Sequence, residues 1–312
     1  MTVRSTAAPS GPRSVAAEVP RLEVVIVIAT GVRKLLRDCL VSLERHPLTA
    51  GPSRVWIVDN ACADGAREIA ESEFSWASIV RQSVHSGFAT ANNSVLRRAV
   101  APYVLLLNPD TELTEGALDR ALATIERDPK VAVVGVRLVR RDGTFDHAAK
   151  RAFPTVVGAL GHFTGIGRRK AASGALAQYR APELDEHGQG EVDAVNGAFM
   201  LVRREAIASV GLLDEGYRFY GEDLDWCYRF KQQGWKVWYD GGVTVVHIKG
   251  GVTGGRHRGL ALNYAFHHAM ARFYRKFHAG RNLPLDAAVY LAVWVKFAIS
   301  AGRSAVARRR TA

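Results

Sequence analysis

Apolar and polar positions along the chain follow two rhythms, one before about residue 136 and another after it. Residues 22–29 (LEVVIVIA), apolar at every position but Glu23, are a continuous run rich in β-branched side chains, the pattern of a strand buried on both faces. Residues 32–45 then place Leu35, Leu36, Cys39, Leu40 and Leu43 at helical spacing. The alternation continues with strands at 54–59, 77–84, 103–108 and 131–136, separated by helices at 64–73, 88–100 and 114–127. Strands and helices taking turns across short connections predict an α/β fold with a mostly parallel, Rossmann-like sheet flanked by helices.

The second rhythm is weaker. Residues 137–190 are rich in Gly, Arg and Ala, without a clear period, and read as irregular or mobile. Strands follow at 192–196 and 198–202, then helices at 203–210 and 224–233, the latter closed by Gly234. Two further strands are expected at 235–239 and 243–248, and a helix at 259–277. Residues 283–300 are apolar except for Asp286 and Lys296, which share a sector roughly 100° wide with Ser300, Arg303 and Ser304. This stretch falls short of the roughly 20 clean apolar residues of a spanning helix. It reads either as a helix lying in a membrane interface or as one docked on the body. The first twenty residues hold Pro, Ser and Ala but no apolar block, so they read as a disordered leader, not a signal peptide.

Composition adds a partner class. The chain has 312 residues, 48% hydrophobic, with 42 Lys and Arg against 30 Asp and Glu, a formal charge of +12. It is long and apolar enough for a real core, which excludes a disordered chain, a collagen-like fibre and a disulfide-stapled mini-protein. Cys39, Cys62 and Cys227 form no C-x-x-C pair, which excludes a zinc knuckle and favours a reducing compartment. Residues 251–312 carry +10 of the charge, with Asp286 their one acid. A nearly neutral body with a basic tail points to an anionic surface, such as phospholipid, and not to nucleic acid, for which the body has no motif.

In an open parallel sheet, ligands gather at the carboxyl ends of the strands. That rule selects Ala29 and Thr30, Asp59 and Asn60, His85, and Asp110, so two carboxylates face one crevice. Asp59 either faces the ligand, braced by the Asp64-Gly65 turn, or caps the next helix. No G-x-G-x-x-G follows the first strand and no G-x-x-x-x-G-K-[ST] occurs, so phosphates must be met by other means. Asp110, ending an apolar strand in Asn108-Pro109-Asp110-Thr111, is a hard oxygen ligand suited to Mg2+ or Mn2+ beside a nucleotide diphosphate.

These residues carry a resemblance. The blocks VVIVIATGVRKLLRDCL, VDNACADG, HSGFATANN, LLLNPDTEL, NGAFMLVRREAI, GLLDEGYRFYGEDLDWCYRFKQQGW and VVHIKGG stand in the order and spacing of family 2 glycosyltransferases. The chain thus resembles that GT-A-fold family over residues 22–255, and most of all its bacterial rhamnosyltransferase-like branch, which works on lipid-linked glycans. The resemblance implies that Asp59 contacts the base or ribose of a nucleotide-sugar. Ala29, Thr30, Asn60, His85, Gly87, Phe88, Asn92 and Asn108 would line the same donor site. Asp110 would be the metal-binding carboxylate of the D-x-D position, with Asn108 replacing its first acid, and His247 the C-terminal metal ligand. Asp223 would be the catalytic base, with Glu222 orienting or replacing it; Gly197, Tyr220 and Trp226 would face the acceptor. By position, Asp223-Leu224-Asp225 is not the metal motif. Two departures fall in the donor pocket: Ala29-Thr30-Gly31 where the family has Thr-Tyr-Asn, and His85 where it commonly has Asn.

The reading is therefore an inverting, metal-dependent glycosyltransferase using Mg2+ or Mn2+. It would move L-rhamnose from dTDP-rhamnose to a lipid-linked or polysaccharide acceptor, on the cytoplasmic face of a bacterial plasma membrane. A UDP- or GDP-sugar donor, or a non-catalytic nucleotide-sugar or membrane-binding module, is the alternative, and a homodimer is compatible with it. The expected organisation is a leader at 1–20, a catalytic domain at 21–255 with a nucleotide-binding half (21–136) and an acceptor half (137–255), and a basic amphipathic helical extension at 256–312. A processive synthase is disfavoured, because the Gln-x-x-Arg-Trp signature is missing.

Overall fold

The computed structural model describes residues 19–154, 183–248 and 259–311, with side chains in the last helix as far as residue 304. The expected leader, about half of 137–190, the boundary at 255 and the side chains of Arg308, Arg309 and Arg310 lie outside those residues.

Four strands, β1 (Leu22–Ile28), β2 (Ser53–Asn60), β3 (Ser78–Gln82) and β4 (Tyr103–Leu107), run parallel in the order β3-β2-β1-β4. Helices α1 (Arg33–Arg45), α2 (Ala66–Glu73) and α3 (Phe88–Leu96) connect them. Every β1 side chain is buried, including Glu23, whose carboxylate accepts from Trp56 Nε1 and from the N–H groups of Val100 and Ala101. The chain leaves β1 toward β2 on one side and reaches β4 on the other, so the sheet order reverses beside β1. That reversal opens a crevice at the strands' carboxyl ends.

Beyond β4 the sheet turns mixed. The short β5 (Thr111–Leu113), α4 (Ala117–Glu126) and β6 (Val131–Val139) come first. Next are β7 (Lys150–Arg151), β8 (Gln189–Val192), β9 (Ala194–Val195) and β10 (Phe199–Arg203). Helices α5 (Arg204–Val210) and α6 (Glu222–Gln232), strand β11 (Lys236–His247), and helices α7 (Leu260–Phe277) and α8 (Leu283–Thr311) complete the chain. β10 inserts antiparallel between β4 and β6; β11 runs parallel to β6, with β5 and β8 antiparallel to β11. β7 and β9 pair as a separate two-stranded ribbon.

Several expectations change. The strands expected at 235–239 and 243–248 are one, β11. Asp240-Gly241-Gly242 reads as a turn but forms a bulge, with buried Asp240 accepting from Thr124 Oγ1 at 2.6 Å and Gln189 Nε2 at 2.6 Å. The strand expected at 192–196 splits between two sheets at Asp193, whose carboxylate accepts from Phe153 N at 2.8 Å. Within the expected irregular stretch, β6 continues to Val139 and bridges Phe145. β5 carries no periodic signal, because three residues are too few to show one.

The C-terminal helices also differ from expectation. α7 sets Phe273 and Phe277 against Tyr228, and its Lys276 donates to Asp214 and to fully buried Asp225, each at 2.7 Å. Burial opposes ionisation of Asp214, but Lys276 and Arg272 outweigh it and hold the carboxyl at about 2. Part of the basic tail is thus used internally.

α8 folds back on α7 around Tyr274, Val289 and Val293. It is longer than expected: Leu283–Ser304, 22 residues of mean hydropathy 1.5, has the length and composition to cross a membrane. Most of the polar sector drawn from the sequence is at least half-buried, Arg303 alone being exposed. Asp286 is buried and accepts from Tyr274 Oη at 2.6 Å and Gly280 N at 2.8 Å, while Lys296 is half-buried. Leu283, Leu291, Trp294, Val295 and Ile299 face outward instead.

β6 passes close to β9 at Gly135. A Cβ on Gly135 would lie 2.4 Å from Val195 Cβ, an atom that cannot swing away. Gly135→Ala is therefore expected to destabilise the protein by about 1–3 kcal/mol in denaturant unfolding, through forced displacement of the β7–β9 ribbon.

Candidate active site

Each strand end delivers its residues to one rim. Parallel pairing of Ile28 with Asp59 carries β2 just past the end of β1. Asp59 is buried; its Oδ1 accepts from Cys62 N at 2.8 Å and its Oδ2 from Arg67 Nη1 at 3.2 Å. It does not cap α2, whose N-cap is Gly65. Asp64 instead accepts from Gly31 N and Arg33 N at 2.8 and 3.0 Å, and Thr30 Oγ1 accepts from Ala63 N at 3.2 Å. Those bonds tie the turn after β1, with half-buried Ala29 and exposed Thr30, to the turn after β2.

Asn60 reaches the next loop, its Oδ1 accepting from Ser86 N at 2.8 Å. This places exposed His85, Gly87 and Phe88 beside the same crevice. Gly87 has φ +87°, and a Cβ there would meet Arg218 O at 3.0 Å, so the position needs glycine. Asn92, one turn into α3, donates to Phe88 O at 2.9 Å, while its buried Oδ1 has no hydrogen-bond partner among the described residues.

The opposite wall depends on a pairing invisible in the sequence. β5 lies antiparallel to the end of β11, with Thr111 facing His247 and Ile248 N donating to Asp110 O at 2.8 Å. His247 Nε2 consequently stands 3.5 Å from Asp110 Oδ1, and His247 Nδ1 stands 3.4 Å from Asp146 Oδ2. All three residues are buried. Burial alone would lower the His247 pKa, but Asp110 and Asp146 outweigh it and raise it to about 9. Asp110 Oδ1 is a buried carboxylate oxygen with no hydrogen-bond partner among the described residues, a donor set that suits a hard cation. No three His, Cys, Asp or Glu side chains among the described residues are grouped to enclose a metal unaided. Two protein ligands completed by phosphate oxygens and water is how Mg2+ is commonly held.

The third wall is the start of α6. Asn108 N donates to Ala198 O at 3.0 Å, and the neighbouring Gly197 N donates to Asp223 Oδ2 at 3.2 Å. Residues 196–198 therefore join the Asn108–Asp110 turn to Asp223. A Cβ on Gly197 would lie 3.7 Å from both Asp223 Cβ and the Phe88 ring. Asp223 Oδ2 also accepts from Arg151 Nη2 at 2.6 Å. Burial, then the charge of Asp223, pushes the Glu222 carboxyl up to about 8, and its Oε2 has no hydrogen-bond partner among the described residues. Both effects favour the protonated form of Glu222.

Among the described residues, the two left-handed non-glycine positions, Ala61 at φ 55° and Tyr220 at φ 68°, follow Asp59-Asn60 and precede Glu222-Asp223. Such strain costs about 1–3 kcal/mol per residue and gathers where function fixes the backbone. Tyr220 is half-buried against Phe219 and Phe266. Trp226 corrects an expectation: it is fully buried, packs on Phe230 and donates to Gly211 O at 2.8 Å, so it belongs to the core and cannot stack on an acceptor. Asp225 is likewise structural, paired with Arg229 and Lys276. Arg67, Asp146 and Arg151 were not anticipated; the latter two lie in the aperiodic stretch after residue 137.

Comparison with known proteins agrees with this geometry. The model of the family described as Glycosyl transferase family 2 matches residues 24–210. The N-acetylglucosaminyl-diphospho-decaprenol L-rhamnosyltransferase of Mycobacterium tuberculosis is 27% identical over 231 residues, 70% of this chain and 73% of that protein. The rhamnosyltransferase WbbL of Escherichia coli is 28% identical over 170 residues, covering 52% and 60%. Among solved structures, the mannosyltransferase PcManGT from Pyrobaculum calidifontis, in complex with GDP-Man and Mn2+, has a TM-score of 0.57 at 18% identity, over 95% of this chain and 77% of that one. GalNAc-T7 with UDP, GalNAc and Mn2+ gives 0.54 at 14%, over 74% of this chain and 44% of the other, so this chain spans less than half its length. The fold is of the GT-A type, and the chain belongs to glycosyl transferase family 2, where it is similar to rhamnosyltransferases.

Proposed function

We propose that this enzyme transfers L-rhamnose from dTDP-rhamnose to a hydroxyl of a lipid-linked or polysaccharide acceptor, with inversion at the anomeric carbon. The observation that carries the reading is the junction at Gly197, where the donor-side Phe88 and the carboxylate of Asp223 meet. Asp59 and Asn60 hold the nucleoside end, and the 85–88 loop with Asn92 closes over the sugar. Asp223 takes the acceptor proton as the hydroxyl oxygen forms its bond to the anomeric carbon; the bond from that carbon to the β-phosphate oxygen breaks, and the diphosphate leaves with the electron pair. Glu222, whose protonated form is favoured, leaves this task to Asp223. Asp110 and His247 would hold Mg2+ or Mn2+, which supplies positive charge to the departing diphosphate.

The mycobacterial relative's name specifies a polyprenyl-diphosphate acceptor, and the α7–α8 hairpin suits such a substrate. Its outward face is apolar, Tyr264 stacks on Trp294 at 5.7 Å, and exposed Arg281 and Arg303 flank it. Amphipathic aromatics with basic neighbours fit the interface of an anionic membrane, here the cytoplasmic leaflet of a bacterial plasma membrane.

Three outcomes are expected. In melting experiments with dTDP-, UDP- and GDP-sugars plus Mn2+, dTDP-rhamnose should raise Tm most, and Asp223→Asn should keep that shift while losing transfer by about a thousandfold or more. A larger shift with another nucleotide would reassign the donor; an active Asn variant would remove the base. Because metal binding needs neutral imidazole, titration calorimetry in buffers of different ionisation enthalpy should show about one proton released per Mn2+ at neutral pH. In the metal-free protein the same raised pKa adds stability that is complete below about 6.5 and is lost as pH rises through about 9. Finally, Leu291→Glu with Ile299→Glu should cut binding to phosphatidylglycerol vesicles about tenfold or more without changing soluble-acceptor turnover.

A further inference from the structure

We propose that Arg151 positions the catalytic base, occupying one carboxylate oxygen of Asp223 so that the other is presented to the acceptor hydroxyl. The proposal rests on the reading of Asp223 as the base. Arg151 Nη2 lies 2.6 Å from Asp223 Oδ2 and 2.6 Å from Val195 O, so one nitrogen bridges the β7–β9 ribbon to the start of α6. Gly197 N donates to the same Oδ2. Oδ1 takes one donor, the N–H of Leu224 at 2.7 Å, which leaves it the less encumbered oxygen. Both side chains are mostly buried, at 12% and 14% exposure, where a charge-assisted bond is shorter and stronger than in water.

Two further observations separate this pair from an ordinary ion pair. The first is the scaffold: Arg151 pairs with Ala194 in the ribbon, and its guanidinium donates to Val195 O, so it has an anchor besides Asp223. The second is charge balance. Burial and the neighbouring charge favour the protonated form of Glu222, and Arg151 lies against the carboxylate of Asp223. An ionised base beside a nucleoside diphosphate would otherwise face like charge across a few ångströms, and Arg151 cancels that repulsion without taking the proton itself.

The test uses the full-length chain with dTDP-rhamnose and a polyprenyl-diphosphate-linked sugar. Arg151→Ala should lower kcat about 100-fold or more, with the donor KM changed by less than about threefold and the melting temperature nearly unchanged. Arg151→Lys should recover part of kcat, because one ammonium restores the charge but not the bridging geometry. In an Asp223→Asn background, Arg151→Ala should cost less than about threefold more, since the group it positions is already disabled. Wild-type kcat in Arg151→Ala, or a raised donor KM at unchanged kcat, overturns the proposal while leaving the base assignment intact. A full additional loss in the Asn background overturns it too. An active Asp223→Asn variant instead defeats the reading beneath it. Should the Ala variant fail to fold, Arg151→Lys and Arg151→Gln are compared by the same kcat and KM split: equal values in both overturn positioning, and a lower kcat in Gln alone supports it.

Discussion

Antiparallel pairing of Thr111 with His247 is the contact on which the arrangement of the site depends. Asp110 and His247 are 137 positions apart, and neither strand end alone fixes where its side chain points. Once β5 lies along the end of β11, backbone hydrogen bonding sets the two side chains 3.5 Å apart in a buried pocket. Strand registers are stiff, because slipping by one residue would turn every side chain to the opposite face. The pocket is therefore formed before any ligand arrives, the condition for electrostatic stabilisation without reorganisation.

Pre-formed charge is costly unless each group is answered. The rim shows three kinds of answer. His247 carries a proton between two carboxylates, Glu222 is pushed toward its protonated form by burial and its neighbour, and Asp223 meets Arg151. Asp59 has its own cation in Arg67. Elsewhere the same physics serves structure: Asp214 and Asp225 bind Lys276 and hold α7 on α6. Two acids only two positions apart, Asp223 and Asp225, thus divide between a cleft and a core.

The C-terminal hairpin shows how neighbours overrule a helical wheel. Taken alone, α8 would turn Asp286 and Lys296 toward water. Against α7, Asp286 finds the Tyr274 hydroxyl and the Gly280 amide, and those bonds compensate its burial. With Asp286 satisfied inside, the helix turns Leu291, Val295 and Ile299 outward, giving the protein an apolar face beside a basic tail.

Composition and periodicity were enough to determine the α/β class, the first four strands and their helices, since each is long and its hydrophobic pattern is local. The strand-end rule singled out Asp59 and Asp110, and the resemblance added Asp223 and His247, side chains that stand at strand or helix ends. Tertiary structure alone decided the joining of two expected strands into β11, the three-residue β5, the core position of Trp226 and the placing of Arg151 and Asp146 at the rim. Each of these depends on pairing between segments distant in sequence. A three-residue strand, a bulge that reads as a turn and an arginine in an aperiodic stretch have no period to betray them; what fixes them is the register and burial supplied by partners elsewhere in the chain.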